Sequence, residues 1–264
     1  MDIVQKAESH VFGLFKDKLS PNYIYHNFNH TLRVVNTART IAEAEGVNDE
    51  DLEVILLAAW FHDAAYIEGP DNHEERSSVI ATQFLAENGY PADKVTRVAK
   101  LIKVTELHAE PLTRDEKIMR DADCSHFADP TYCTLSELLR EEWKLTQGKL
   151  FSDIEWALLN RKVLISSHRY YSNYAKCKLQ PLKEANIVQL QTRISALDEE
   201  KKPSKDKLNK KKLEKLDRPE RGIDTMFRVT LNNHTRLSEI ADSKANILLS
   251  VNAIIISIAL TTLI

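Results

Sequence analysis

The chain has 264 residues, 43% of them hydrophobic and 28% charged, with a net charge of −3. That is enough apolar material for a sizeable core, and the near balance of charge gives no reason to expect a nucleic-acid-binding face. Three cysteines (Cys124, Cys133 and Cys177) show neither CxxC spacing nor an even-numbered framework, so they read as free thiols in a reducing compartment.

The opening M-D-I-V-Q-K-A-E-S-H lacks a basic-then-apolar leader, and the body is expected in the cytosol. From the start to about Pro181 the chain reads as a series of amphipathic helices with short polar breaks, an all-α body. One helix is predicted over Asn29–Glu45, closed by Gly46. A second runs over Asp51–Ala65, opened by an acidic cluster suited to capping. A third covers Asn72–Glu87 and stops at Asn88-Gly89, and a fourth follows Pro91. Further helices are expected over Arg114–Phe127, Pro130–Gln147 and Ser152–Tyr171. No convincing run of alternating polar and apolar residues argues for a strand.

Composition changes at Pro181. Ile187, Leu190, Ile194 and Leu197 fall at spacings of 3, 4 and 3, a seam of about two heptads. Such a seam serves either a helix packed on the body or self-association into a homo-oligomer. Between Glu199 and Arg221 ten Lys/Arg face six Asp/Glu, the composition of a solvated connector. Ile247–Ile264 then holds 18 residues without a charge. At about 1.5 Å per residue this spans roughly 27 Å, near the thickness of a bilayer core. The basic stretch before it would face the cytosol. The expected layout is therefore a domain over 1–180, a helical Lys-rich linker over 181–221, and a membrane-entry helix with a transmembrane segment over 222–264. It places the body at the inner face of the cytoplasmic membrane.

The most specific signal is a dispersed set of metal-type ligands: His30 in Y-H-N-F-N-H-T-L-R-V, the adjacent His62-Asp63, and Asp123 in D-A-D. Imidazoles and carboxylates converging from separate helices can hold a divalent ion and leave positions open for water and substrate. Such an ion suits phosphate-ester chemistry. No glycine-rich phosphate loop or G-x-S-x-G elbow competes with this reading.

The segments Y-H-N-F-N-H-T-L-R-V, A-A-W-F-H-D-A-A-Y, N-H-E-E-R-S-S, I-K-V-T-E-L-H and D-A-D, in this order over roughly residues 20–127, resemble the HD-domain metal-dependent phosphohydrolases. The resemblance implies His30, His62, Asp63 and Asp123 as ligands of a divalent metal (Mn, Mg, Ni, Fe or Zn), with Asp123 preferred to Asp121. It also implies that Asp63 takes part in catalysis and that Glu75 acts on the attacking water as a base. Cys124-Ser125-His126 departs from the family, which usually has an apolar residue after the aspartate. Arg33, Arg76, Lys103 and Arg120 are the nearest cations, with Arg76 the preferred phosphate clamp and Arg33 and Lys103 its alternatives. His26 reads as a residue that packs or hydrogen-bonds at a helix entry. His108 reads either as a ligand or proton donor or as a surface histidine.

Residues 224–264, with L-S-E-I-A-D-S-K-A leading at once into the apolar span, resemble the transmembrane effector domain of bacterial Pycsar anti-phage systems. That likeness implies a nucleotide or cyclic nucleotide as ligand and the lipid bilayer as partner. Two functions are therefore expected. One is a membrane-tethered phosphohydrolase acting on a nucleotide. The other is a non-enzymatic nucleotide sensor that controls a membrane-disrupting segment.

Overall fold

The computed structural model describes residues 2–201. The Lys-rich stretch from 202 to 221 and the apolar segment 247–264 lie outside these residues, as does the whole of 222–264. Among the described residues there is no strand, and no helix is long and apolar enough to cross a membrane.

The helix α1 (Ile3–Lys18) was not singled out from sequence. Asp2 caps it by accepting a hydrogen bond from the Gln5 N–H, and it buries Ala7, Val11 and Phe15, one face at four-residue spacing. The helix α2 (Phe28–Ala44) starts where the Asn27 side chain accepts from the backbone N–H of Asn29 and His30. Such a cap contributes about 1 kcal/mol, and here it also fixes the turn that carries His30. The helix α3 (Asp49–Phe61) is capped by Asn48 and buries every residue from Val54 to Phe61. Apolar on all sides, it forms the centre of the fold, with α1, α2 and α5 (Ala92–Lys103) packed against it.

The helix α4 (His73–Glu87) pairs with α5, and α6 (Arg114–Asp123) lies against α2 and α3. Leu85, Ile102, Ile118 and Met119 are fully buried between these layers. A capping box of Thr113 and Glu116 starts α6. The remaining helices are α7 (Tyr132–Gln147), α8 (Asp153–Lys162) and α9 (Gln180–Lys201).

Three helices end earlier than their patterns predict. α3 stops at Phe61; His62 and Asp63 leave the helix, and a 3₁₀ turn follows over Ala64–Glu68, with Tyr66 N–H bonded to Asp63 O. α6 stops at Asp123 and passes into a 3₁₀ turn over Cys124–Ala128. α8 gives way to a wide π turn over Val163–Ser167, and His168 beyond it is extended; further on, the Asp121 carboxylate accepts the Tyr171 and Ser172 amides. The heptad seam packs on the body: Leu190 and Ile194 are buried, with Leu190 against Tyr132 and Leu164.

Candidate metal centre

Three chain segments deliver four donors to one point. His30 sits in the first turn of α2, His62 and Asp63 at the end of α3, and Asp123 at the end of α6. His30 Nε2 lies 3.3 Å from His62 Nε2, 3.3 Å from Asp63 Oδ2 and 3.5 Å from Asp123 Oδ1. His62 Nε2 lies 3.2 Å from Asp63 Oδ2 and 3.6 Å from Asp123 Oδ1. Metal–donor bonds of about 2.0–2.2 Å would hold tetrahedral donors about 3.3–3.6 Å apart, so the mutual separations of His30, His62 and Asp123 fit a single ion, with Asp63 set against both imidazoles.

Two further observations support that fit. Asp63 Oδ2 is buried between the two imidazoles and accepts no well-formed hydrogen bond, an arrangement a native interior rarely tolerates without a ligand. The Ala59 carbonyl receives the N–H of His62 Nδ1 at 2.8 Å. This leaves the Nε2 lone pair of the neutral ring facing the cluster, as a metal-binding histidine requires. His30, His62 and Asp63 are almost wholly buried, whereas the Asp123 side chain is 23% exposed and marks the open side.

Electrostatics follow from this crowding. Burial opposes the charged form of His62, but the carboxylates of Asp63 and Asp123 outweigh it and raise its pKa to about 9. Against its own burial, Asp63 is held well below the usual carboxylate range by the charge of His62 and by His30 and His73. Asp123 is lowered to about 2, its contacts with His30 and the charge of His62 overcoming burial.

His73, at the start of α4, is a neighbour the sequence reading missed. Its Nε2 lies 3.4 Å from Asp63 Oδ1, the oxygen turned away from the other imidazoles, and its Nδ1 meets the Pro70 carbonyl at 2.9 Å. The preceding Asn72 has φ +50, the one positive value at a non-glycine among the described residues. A strained left-handed residue at this turn sets the direction in which α4 begins. The available signal was a histidine inside the quoted N-H-E-E-R-S-S segment.

The other expected residues are placed differently. Glu75 is 61% exposed and ion-paired with Lys103 at 2.7 Å, so neither is brought to the cluster. Glu74 faces inward, 17% exposed and 3.3 Å from His73 Nδ1. The Arg76 guanidinium is committed to Glu68 and to the Gly69 and Asp71 carbonyls, stapling the loop before α4. Arg33 makes no ion pair among the described residues, and its charge reaches Tyr25 and His126. His108 is exposed. Asp121 is fully buried and accepts the Tyr171 and Ser172 amides.

His26 is tightly built in. Its Nδ1 contacts Glu142 Oε1, while Glu142 Oε2 accepts the Tyr25 and His26 amides at 2.8 and 2.9 Å. Its ring stacks on Tyr66 at 4.1 Å and lies 5.7 Å from the His30 ring. Tyr25 packs 5.0 Å from His30, and its buried hydroxyl has no hydrogen-bond partner. His126 lies edge-on to Tyr25 at 5.7 Å; burial, reinforced by the positive field of His30, lowers its pKa to about 4.

Residues 27–128 match the family model of the HD domain, a span that contains all four donors. The fold is similar to that of a protein from an uncultured Thermotogales bacterium described as a predicted HD superfamily hydrolase. The TM-score is 0.50 at 21% identity, over 73% of this chain and 91% of that one. It is also similar to a Lactobacillus plantarum protein, with a TM-score of 0.51 at 15% identity over 75% and 95% of the two chains. At such identities the likeness concerns the fold. No curated protein matches the chain significantly.

Proposed function

We propose that the domain is a metal-dependent phosphohydrolase acting on a nucleotide or cyclic nucleotide. The observation that carries this reading is the convergence of His30, His62, Asp63 and Asp123, with five donor separations of 3.2–3.6 Å and a buried carboxylate oxygen that lacks a proper partner. When bound there, a divalent ion supplies Lewis acidity, making water nucleophilic near neutral pH and offsetting charge on a phosphoryl oxygen.

The surrounding residues have separate tasks. His73 holds the outer oxygen of Asp63 and so fixes the carboxylate plane. His26 is oriented by the buried Glu142 and stacked on Tyr66, beside the cluster yet outside the ligand set. That suits a proton donor to the leaving oxygen. Arg33, with no ion pair among the described residues, is the cation available to a substrate phosphate. The uncharged stretch at 247–264 supports tethering of this domain at the inner face of a membrane.

The test is to assay the full chain against a panel of nucleotides and cyclic nucleotides with Mn²⁺, Mg²⁺ or Ni²⁺, beside His62→Ala and Asp63→Ala. Turnover should depend on added metal and fall by at least about a hundredfold in either variant. The reading fails if elemental analysis finds no metal retained by folded protein, or if the variants keep full turnover. Tight binding of one cyclic nucleotide without turnover would replace the enzyme with a sensor.

A further inference from the structure

A cavity of about 290 Å³ lies apart from the four metal-type donors, lined by Glu45, Arg114, Lys117, Tyr171, Ser172 and Lys176 among others. No donor of the metal cluster contributes to its wall. Its charge is uneven. Arg114 is already shared between Asp51 and Asp115, and Glu45 accepts the Tyr174 amide at 2.6 Å. Lys117 and Lys176 make no ion pair among the described residues. With Arg114, and against Glu45, Lys117 and Lys176 leave the wall net positive, which suits a phosphate monoester, about −1.5 to −2 at neutral pH.

The rest of the wall narrows the ligand. Tyr171 is a wall residue, and the Arg169 guanidinium lies 5.0 Å from its ring centre. This electron-poor stacked pair is suited to a flat base or sugar face. The volume sits at the small end of ligand pockets, about 300 Å³ and upward, enough to seat a sugar phosphate or a mononucleotide. The wall is also rigid: Asp121 accepts the Tyr171 amide at 2.9 Å and the Ser172 amide at 2.7 Å, and Ser172 Oγ accepts from the Ala175 N–H.

We propose that this cavity is a second ligand site, taking a small phosphate monoester of mononucleotide size on Lys117, Lys176 and Tyr171. Asp121 gives it a direct relation to the metal cluster, because the carboxylate that fixes its wall lies on the same helix as Asp123, two residues earlier. The site does not depend on the hydrolase reading, since nothing in its wall touches the metal-type donors.

The experiment is calorimetric titration of the full chain in excess chelator, with AMP, ribose 5-phosphate and adenosine as probes. AMP and ribose 5-phosphate should bind and adenosine should not. Lys117→Ala and Lys176→Ala should each weaken binding about three- to tenfold, and the double variant should abolish it. Tyr171→Leu should weaken AMP more than ribose 5-phosphate. His62→Ala should leave all of this unchanged, which separates the cavity from a nucleotide held at the metal cluster. Lys117→Gln and Lys176→Gln, judged against their melting temperatures, cover the case of an alanine variant that folds poorly. The proposal is overturned if neither phosphate binds, if adenosine binds as well as AMP, or if a folded double-lysine variant binds normally.

Discussion

Two ring nitrogens 3.3 Å apart, His30 Nε2 and His62 Nε2, cannot both point lone pairs at each other without a cation between them. In metal-free protein a proton can serve, in keeping with the raised pKa of His62, about 9. A metal ion must displace that proton, so binding near pH 7 should release about one proton, and apparent affinity should rise with pH up to about 9. Titrations in buffers of different ionisation enthalpy would read this directly; a heat independent of buffer would refute it. The same shift has a consequence for folding without metal. His62 titrates near 6.5 in the unfolded chain, so its contribution to stability is complete below that pH and is lost as pH rises through about 9. Melting in chelator across pH 6 to 10 should show the decline, and added metal should remove it. At this scale the sequence was legible for His30, His62 and Asp123, because five segments carried them in a family's order, where a His-Asp pair alone is common by chance. It was not legible for His73, whose approach to Asp63 depends on the left-handed turn at Asn72. His73→Ala should therefore lower metal affinity about tenfold, in line with other changes behind a ligand, while Glu75→Ala should leave affinity and turnover within about twofold. Equal losses in the two variants would reverse that assignment.

Helix ends, more than helix faces, build the cluster. Apolar patterning located α2 through α8, yet the two predicted helices that end on the donors ran past their observed ends, at Phe61 and Asp123. Apolar spacing does not distinguish a last α turn from a 3₁₀ turn, since both keep side chains three residues apart on one side. In each case the change comes at the donors, where a helix that continued would carry the carboxylate around its axis. The end of α5 is held by another device. Arg120 is buried and donates to the carbonyls of Val104, Thr105, Glu106 and Leu107, gathering acceptors that the helix cannot satisfy itself. From sequence it was one of several cations near a motif; only the fold brings four carbonyls to it. Arg120→Met keeps the volume and removes the donors. It should cost about 3 kcal/mol and lower Tm by about 6–12 °C for a domain of this size. A change under 2 °C in a melting experiment would show that water replaces the guanidinium without loss.

Over the whole domain, the match to the HD family stops at residue 128, but the forces that hold the cluster do not. Asn186 of α9 is buried and donates at 2.9 Å to both Phe127 O and Asp129 O, closing the segment that follows Asp123. Glu142 of α7 carries the Tyr25 and His26 amides ahead of His30. Two of the four donors are thus steadied by helices beyond the matched region. Local patterns cannot reveal this, because each contact spans more than fifty residues and falls on polar side chains with no periodic signature. The arrangement predicts that metal affinity and global stability can be separated. Asn160 also lies in a buried network, accepting from Tyr132 Oη at 2.5 Å and Ser136 Oγ at 2.9 Å, but it ties α7 to α8 away from the donors. Asn160→Ala and Asn186→Ala should each cost about 1–3 kcal/mol by leaving buried polar groups unpaired. Only Asn186→Ala should also loosen the Asp123 segment and raise the metal dissociation constant severalfold. The paired measurement is melting temperature in chelator beside metal titration. If both variants lose stability alike and neither loses affinity, α9 only shelters the site and does not position it.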